Sequence, residues 1–252
     1  MRIVRRLILM ISAVAVVVWV GLYTESFFRR QRAQSLIADL KSFPFQSATF
    51  RDVREFTLAH GGAALQEFPP PFPRIAVPER DPAGKITVPL VSDKPVCNHN
   101  DCTFQIWILP MPQNFGLGQR AEVLLLSAMY WSGIKPWGVY VRFKVSEGRL
   151  EESLTSVGGL ERSDGSVEGG LMPFEYDIIT SARPIYGGEN YSVGKPHVTG
   201  GPLDILEVRM THTSTSSVHR AFDINLGCLN RVLAGCTLAE IAPSAWSDYT
   251  KR

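Results

Sequence analysis

The longest uninterrupted apolar stretch comes first. Residues 7–23 contain no charge and only Ser12 as a clearly polar side chain, and ten of the seventeen are Leu, Ile or Val. Each of those ten favours insertion by about 0.3–0.6 kcal/mol, so together they contribute roughly 3–6 kcal/mol. As a helix the run spans about 26 Å, a little short of a ~30 Å hydrocarbon core. Arg6 can snorkel outward at one end, and Tyr23, Phe27 and Phe28 suit the interface at the other. The pattern predicts a single-pass transmembrane signal-anchor helix at 7–23, with a short basic tail at 1–6. A charged helical stalk at 24–43 is expected to follow. A cleaved secretory signal is the competing reading, because Arg2, Arg5 and Arg6 resemble its basic start. The apolar run exceeds the usual length of about 7–15 residues, and Tyr-Thr-Glu-Ser at 23–26 lacks a small-x-small cleavage site. The uncleaved anchor is therefore preferred.

Beyond residue 44 shorter periods alternate. Residues 47–59 read as a helix: Thr49 with Asp52 forms a capping pair, Phe50, Val53 and Phe56 recur every three residues, and Gly61-Gly62 stops the turn. The proline run at 68–73 favours polyproline II, as a stiff surface connector rather than a docking strip. Residues 86–91 form a candidate edge strand, since Pro89 cannot join a central ladder, and 103–109 alternates around Phe104, Ile106 and Ile108. Residues 121–132 place Leu124, Leu125, Ala128 and Met129 on one helical face before Gly133. A hairpin is expected from 139–145 and 149–157 around Glu147-Gly148. The glycine-rich 158–170 reads as a surface loop, and 184–202, rich in Gly and Pro, shows no period. A second hairpin is expected from 203–212 and 218–226, then a short helix capped by Thr237 and Glu240 and ended by Pro243. The fold class that follows is α+β: an N-terminal transmembrane helix, then a single domain over 44–252 with a mainly antiparallel sheet and a few helices.

Charge changes the picture at the ends. Of a total of +2, the first 41 residues carry seven basic groups against Glu25 and Asp39, a net of +5, which leaves −3 for the rest. An acidic domain lacks the clustered cations that nucleic acid requires, whereas the basic end flanks the apolar run, where anionic headgroups attract it. The positive-inside comparison is nearly a tie, because Arg29, Arg30 and Arg32 follow the run as closely as Arg2, Arg5 and Arg6 precede it. The cysteines break that tie. Cys97 and Cys102 form one close pair and Cys228 and Cys236 another, an even set that suits an oxidising compartment. The domain is therefore expected outside the cytoplasm, periplasmic in a Gram-negative cell, with both pairs closed as local disulfides.

Candidate chemistry is sparse. Cys97-Asn-His99-Asn-Asp101-Cys102 holds possible zinc ligands, but its spacing matches no standard zinc module, so a short-loop disulfide is preferred. Gly116, Gly118 and Ala121 fit a dinucleotide fingerprint, yet Pro110 and Pro112 spoil the tight turn it needs. Ser192 and Lys195 match S-x-x-K, which requires a helix that Gly194 and Pro196 oppose. His212 and His219 are read as polar neighbours across their hairpin. The carboxylates Glu151, Glu152, Glu175 and Asp177 are read as solvated, and Asn190-Tyr-Ser192 is a lone sequon. No catalytic, cofactor or metal residues are assigned. The expected function is a non-catalytic, membrane-anchored envelope protein serving interaction or structure, with a protein partner and no nucleic acid. The alternatives are a small-molecule or glycan binder using Trp107, Trp131, Trp137 and Trp246, and a tethered hydrolase with dispersed catalytic residues.

Overall fold

A computed structural model describes residues 2–64, 79–80, 86–87, 97, 101–108, 124, 127–135, 137–162, 171–183, 189–195, 204–212, 215–233 and 236–251. The apolar run opens a single helix, α1 (Arg2–Ser42), whose two halves meet different surroundings. Its most apolar 18-residue window has a mean hydropathy of 2.4, and none of the residues in it is buried inside the protein. In the second half Ala33, Leu36, Ile37 and Leu40, at i, i+3, i+4 and i+7, are at most 3% exposed and belong to the hydrophobic core. The segment expected as a stalk therefore lines the core, which begins within α1 and not at residue 44. The charges that suggest a stalk sit on its outer side, where Asp39 meets His60, the residue that caps the end of the next helix, at 3.3 Å.

That helix, α2 (Phe50–Ala59), starts where the capping pair predicts, with Thr49 and Asp52 closing a full capping box. The main sheet has seven strands in the order β1 (Ala63–Ala64), β4 (Cys102–Ile108), β5 (Trp137–Ser146), β6 (Arg149–Arg162), β7 (Leu171–Ser181), β9 (Asp204–Thr211) and β8 (Tyr191–Gly194). All pairings are antiparallel except β7 with β9, between which β8 crosses to the edge. A separate two-stranded ribbon pairs β2 (Glu79–Arg80) with β3 (Ile86–Thr87). The expected edge strand is described only at its first two residues, and the proline run at 68–73 lies outside the described residues.

Alternation builds the core. On one sheet face Phe104, Ile106, Val139, Val141, Phe143, Tyr176, Ile178, Leu206 and Val208 are at most 3% exposed. Against it pack α1, α2 and the C-terminal helices, with Phe43 on Phe143 at 5.5 Å and Phe45 on Phe222 at 5.9 Å. Each such aliphatic or aromatic side chain contributes roughly 1.5–3 kcal/mol when fully buried.

Four local readings are corrected by this packing. First, β6 continues through Gly158 and Gly159 to Arg162, because Gly159 faces Trp137 on one side and Phe174 on the other. A glycine between two large aromatics is accommodated in a strand. Second, β8 lies inside the stretch read as irregular. Third, the strand expected at 218–226 is a helix, α3 (Thr215–Ala221), followed by a 3-10 turn at Leu226–Asn230. Val218, Ala221 and Phe222 recur at helical spacing and are at most 6% exposed. Fourth, among the described residues of the helix expected at 121–132, Met129 and Tyr130 are buried, whereas Leu124 is 72% exposed. Gly133, at φ +87°, ends that helix as anticipated. The chain closes with α4 (Leu238–Ile241), capped by Thr237 and Glu240, and α5 (Pro243–Thr250), so Pro243 both ends one helix and begins the next.

Candidate functional site

The most unusual local construction lies where the apolar part of α1 first meets the domain. Trp19 Nε1 donates to the Ser132 carbonyl at 3.3 Å, and the Tyr23 hydroxyl donates to the Asn230 carbonyl at 3.2 Å. The two rings are 5.4 Å apart, one helical turn from each other on the same side. Gly133 is required there: a side chain at that position would come within 2.9 Å of Val232, 3.2 Å of the Asn230 carbonyl and 3.3 Å of the Tyr23 ring.

Next to these contacts is the ring closed by Cys228 and Cys236, whose Cα atoms are 5.3 Å apart. Both cysteines are fully buried, and the Cys236 N–H donates to the Tyr130 hydroxyl at 3.1 Å. Lys135 is 1% exposed; its ammonium donates to the Arg231 carbonyl at 2.5 Å and lies over the Tyr130 ring at 4.9 Å. Burial lowers its pKa to about 8, and the nearby Arg231 adds to that shift. Arg231 is itself paired with Glu240 at 2.5 Å. The turn that follows Arg231 behaves differently. Val232 is 50% and Leu233 77% exposed, and Leu233 holds a φ of +54°, which costs a non-glycine residue roughly 1–2 kcal/mol. Its N–H is tied to the Trp131 carbonyl at 3.0 Å, so the strained turn has a fixed place.

A second region is the sheet face opposite the helices. Trp107 and Tyr140 pack with ring centroids 4.1 Å apart, and Gln105 joins them, donating to the Tyr140 hydroxyl and accepting from Trp107 Nε1. Farther along, Ser156 donates to Glu175 at 2.7 Å, and Asp177 sits in register between Ser156 and Glu207. Burial, with the Glu175 carboxylate beside it, pushes the Asp177 carboxyl up to about 7, and its buried Oδ1 has no hydrogen-bond partner among the described residues. The sequence pattern alone reads this carboxylate as solvated. The available signal was the Glu175-Tyr176-Asp177 alternation, which sets two acids side by side on one strand face. Nothing in the sequence marks Lys135 as buried.

Of the residues singled out earlier, the cysteines come together as paired: Cys97 with Cys102 at a Cα separation of 4.3 Å, and Cys228 with Cys236. Asp101 caps the β5–β6 turn, accepting from Ser146 Oγ at 3.1 Å and the Glu147 N–H at 3.2 Å. His99 and the Gly116–Gly118 fingerprint lie outside the described residues. Ser192 lies on strand β8 and Lys195 just past its end, so no helical turn sets them together as S-x-x-K requires, and Lys195 is bonded to Asp204 at 2.6 Å beside the Trp246 ring. His212 and His219 are not cross-strand neighbours, since one follows β9 and the other lies on α3. His212 is 8% exposed and bonded to Thr180 Oγ1 at 3.1 Å, itself bonded to Ser153; burial lowers the imidazole pKa to about 4. The four tryptophans do not form one platform: Trp137 is core, Trp107 belongs to the outer sheet face, Trp131 packs on Tyr130, and Trp246 packs with Tyr249. Among the described residues no three His, Cys, Asp or Glu side chains are grouped for a metal ion. Comparison with family models, with curated proteins and with solved structures returns no match to this chain.

Proposed function

We propose that this chain is a single-pass membrane-anchored envelope protein whose domain lies outside the cytoplasm and serves interaction or structure rather than catalysis. The observation that carries the reading is the division of α1 into an exposed apolar half and a half built into the domain core. A helix that is apolar all round and unburied by its own protein needs another apolar surrounding, and a bilayer supplies it. The paired cysteines support an oxidising compartment for the domain. A non-catalytic role is supported by the separation of Ser192 from Lys195 and of His212 from His219, and by the engagement of Lys195 and His212 in structural contacts. Because α1 enters the core directly, the anchor holds the domain close to the membrane in one orientation.

The experiment is protease treatment of intact spheroplasts expressing the full chain, with activity-based serine probes and a fluorescent β-lactam applied in parallel. The expected result is digestion of the domain without lysis and no covalent labelling. Protection until lysis contradicts the orientation, and labelling lost on Ser192→Ala contradicts the non-catalytic role.

A further inference from the structure

We infer that the turn at Arg231, Val232 and Leu233 is a membrane-contacting wedge whose aliphatic pair, Val232 and Leu233, enters the headgroup-to-acyl boundary of the bilayer that α1 crosses. The inference rests on the anchor reading and adds a second point of contact to it. Depth is the first argument. Tyr23 ends the charge-free run and is bonded to the Asn230 carbonyl, while Trp19, about 6 Å deeper along the helix axis, is bonded to the Ser132 carbonyl. A helix that places Trp19 and Tyr23 at the outer end of its span carries the backbone of 230–233 to the same level. Both aromatic types favour that level, with the ring in apolar surroundings and the polar atom bonded.

The second argument is the tip itself. Leu233, 77% exposed, projects from a turn that holds it in the left-handed region, and Val232 beside it, packed over Gly133, is still 50% exposed. Strain retained to keep a leucine outside the core marks a function for the exposed side chain. The turn has a defined position, because Gly133 leaves room for Val232 and the Trp131 carbonyl holds the Leu233 N–H. The occupant is the bilayer, since a soluble partner reaching this depth has to displace lipid already packed around α1.

The test uses the full chain in vesicles of phosphatidylcholine with a minor fraction of phosphatidylglycerol. The photocrosslinking residue p-benzoylphenylalanine replaces Leu233, Val14 or Leu58 in separate preparations. Val14 lies in the apolar run, and Leu58 is an exposed apolar residue of α2, near the level of Asp39. The expected result is lipid adducts at Val14 and Leu233 and none at Leu58. Lipid adducts at Val14 without any at Leu233 overturn the wedge and leave the anchor standing. A species of doubled mass at Leu233 overturns it in favour of a second copy of the chain. Absence of lipid adducts at Val14 overturns the anchor and the wedge together. As a second arm, Leu233→Asp is combined with the crosslinker at Val232. Lipid labelling should fall to the Leu58 level while the denaturation midpoint in detergent is unchanged, and undiminished labelling contradicts the proposal.

Discussion

Tyr23 donates its hydroxyl to the main-chain carbonyl of Asn230, 207 residues further along the chain and 3.2 Å away. This bond joins the end of the apolar run to the C-terminal part of the domain. Tyr23→Phe keeps the ring beside Trp19 and removes only that bond. The expected loss is about 1 kcal/mol, a fall of roughly 2–4 °C in the melting temperature of the detergent-solubilised chain. An unchanged melting temperature contradicts a fixed junction between helix and domain.

The two halves of α1 are expected to respond oppositely to the same substitution. Leu36 is fully buried, so Leu36→Ala should destabilise the domain by about 2–5 kcal/mol, whereas Leu9, 60% exposed, should contribute nothing measurable to domain unfolding in detergent. Denaturant titrations of both variants decide this, and equal effects contradict the division of roles.

Acid should weaken the fold through His212. Its folded pKa of about 4 lies below the ordinary 6.5, so the unfolded chain binds the extra proton between those values. Stability is expected to fall as pH drops from 6.5 towards 4, by roughly 3 kcal/mol from this residue. His212→Gln should flatten that part of the pH profile, measured by urea unfolding at pH 7 and pH 4.5; an unaltered slope contradicts the assignment.

Asp177 should act in the other direction. Its folded pKa of about 7 exceeds the ordinary 3.8, so the folded chain keeps the proton between those values and stability falls as pH rises through 7. Asp177→Asn is expected to raise the melting temperature at pH 8 by several degrees and to leave it nearly unchanged at pH 4. A variant that is less stable at pH 8 contradicts a carboxylate destabilised by burial and by the neighbouring Glu175.

The two cysteine pairs are not equivalent. Closing either short loop contributes roughly 2–3 kcal/mol by chain entropy. Cys228 and Cys236 are fully buried, while Cys97 is only partly buried against the core. Serine at both positions of the second pair is therefore expected to cost more than serine at both positions of the first, measured by thermal unfolding of the oxidised proteins. Non-reducing peptide mapping should recover each pair separately, and a peptide joining the two pairs contradicts the connectivity.

Much of the fold was legible where a local rule and the tertiary packing agree. The capping boxes at Thr49 and Thr237, the Glu147-Gly148 turn and the alternation of β4 and β5 are each set by neighbours within a few residues. What escaped depended on distant partners. Gly158 and Gly159 signal a loop until Trp137 and Phe174 flank the strand on both sides. The helical period of Val218, Ala221 and Phe222 spans little more than one turn, too short to outweigh the β-branched and aromatic residues that also suit a strand after β9. Leu36 and Leu40 were hidden among charges, because in a helix one face can be buried while its neighbours along the chain remain solvated. The junction residues Lys135, Val232 and Leu233 have no sequence signature, since their surroundings are assembled from chain segments far apart in sequence.

Neutron reflectometry of the full chain in a supported bilayer tests most directly that the anchor and the domain form one body. Helix density should occupy the hydrocarbon layer, and the domain should begin at the headgroups with no hydrated gap. A free helical stalk over residues 24–40 would instead hold the domain about 25 Å away. A water layer of that thickness, or a hydrocarbon layer without protein, contradicts the account.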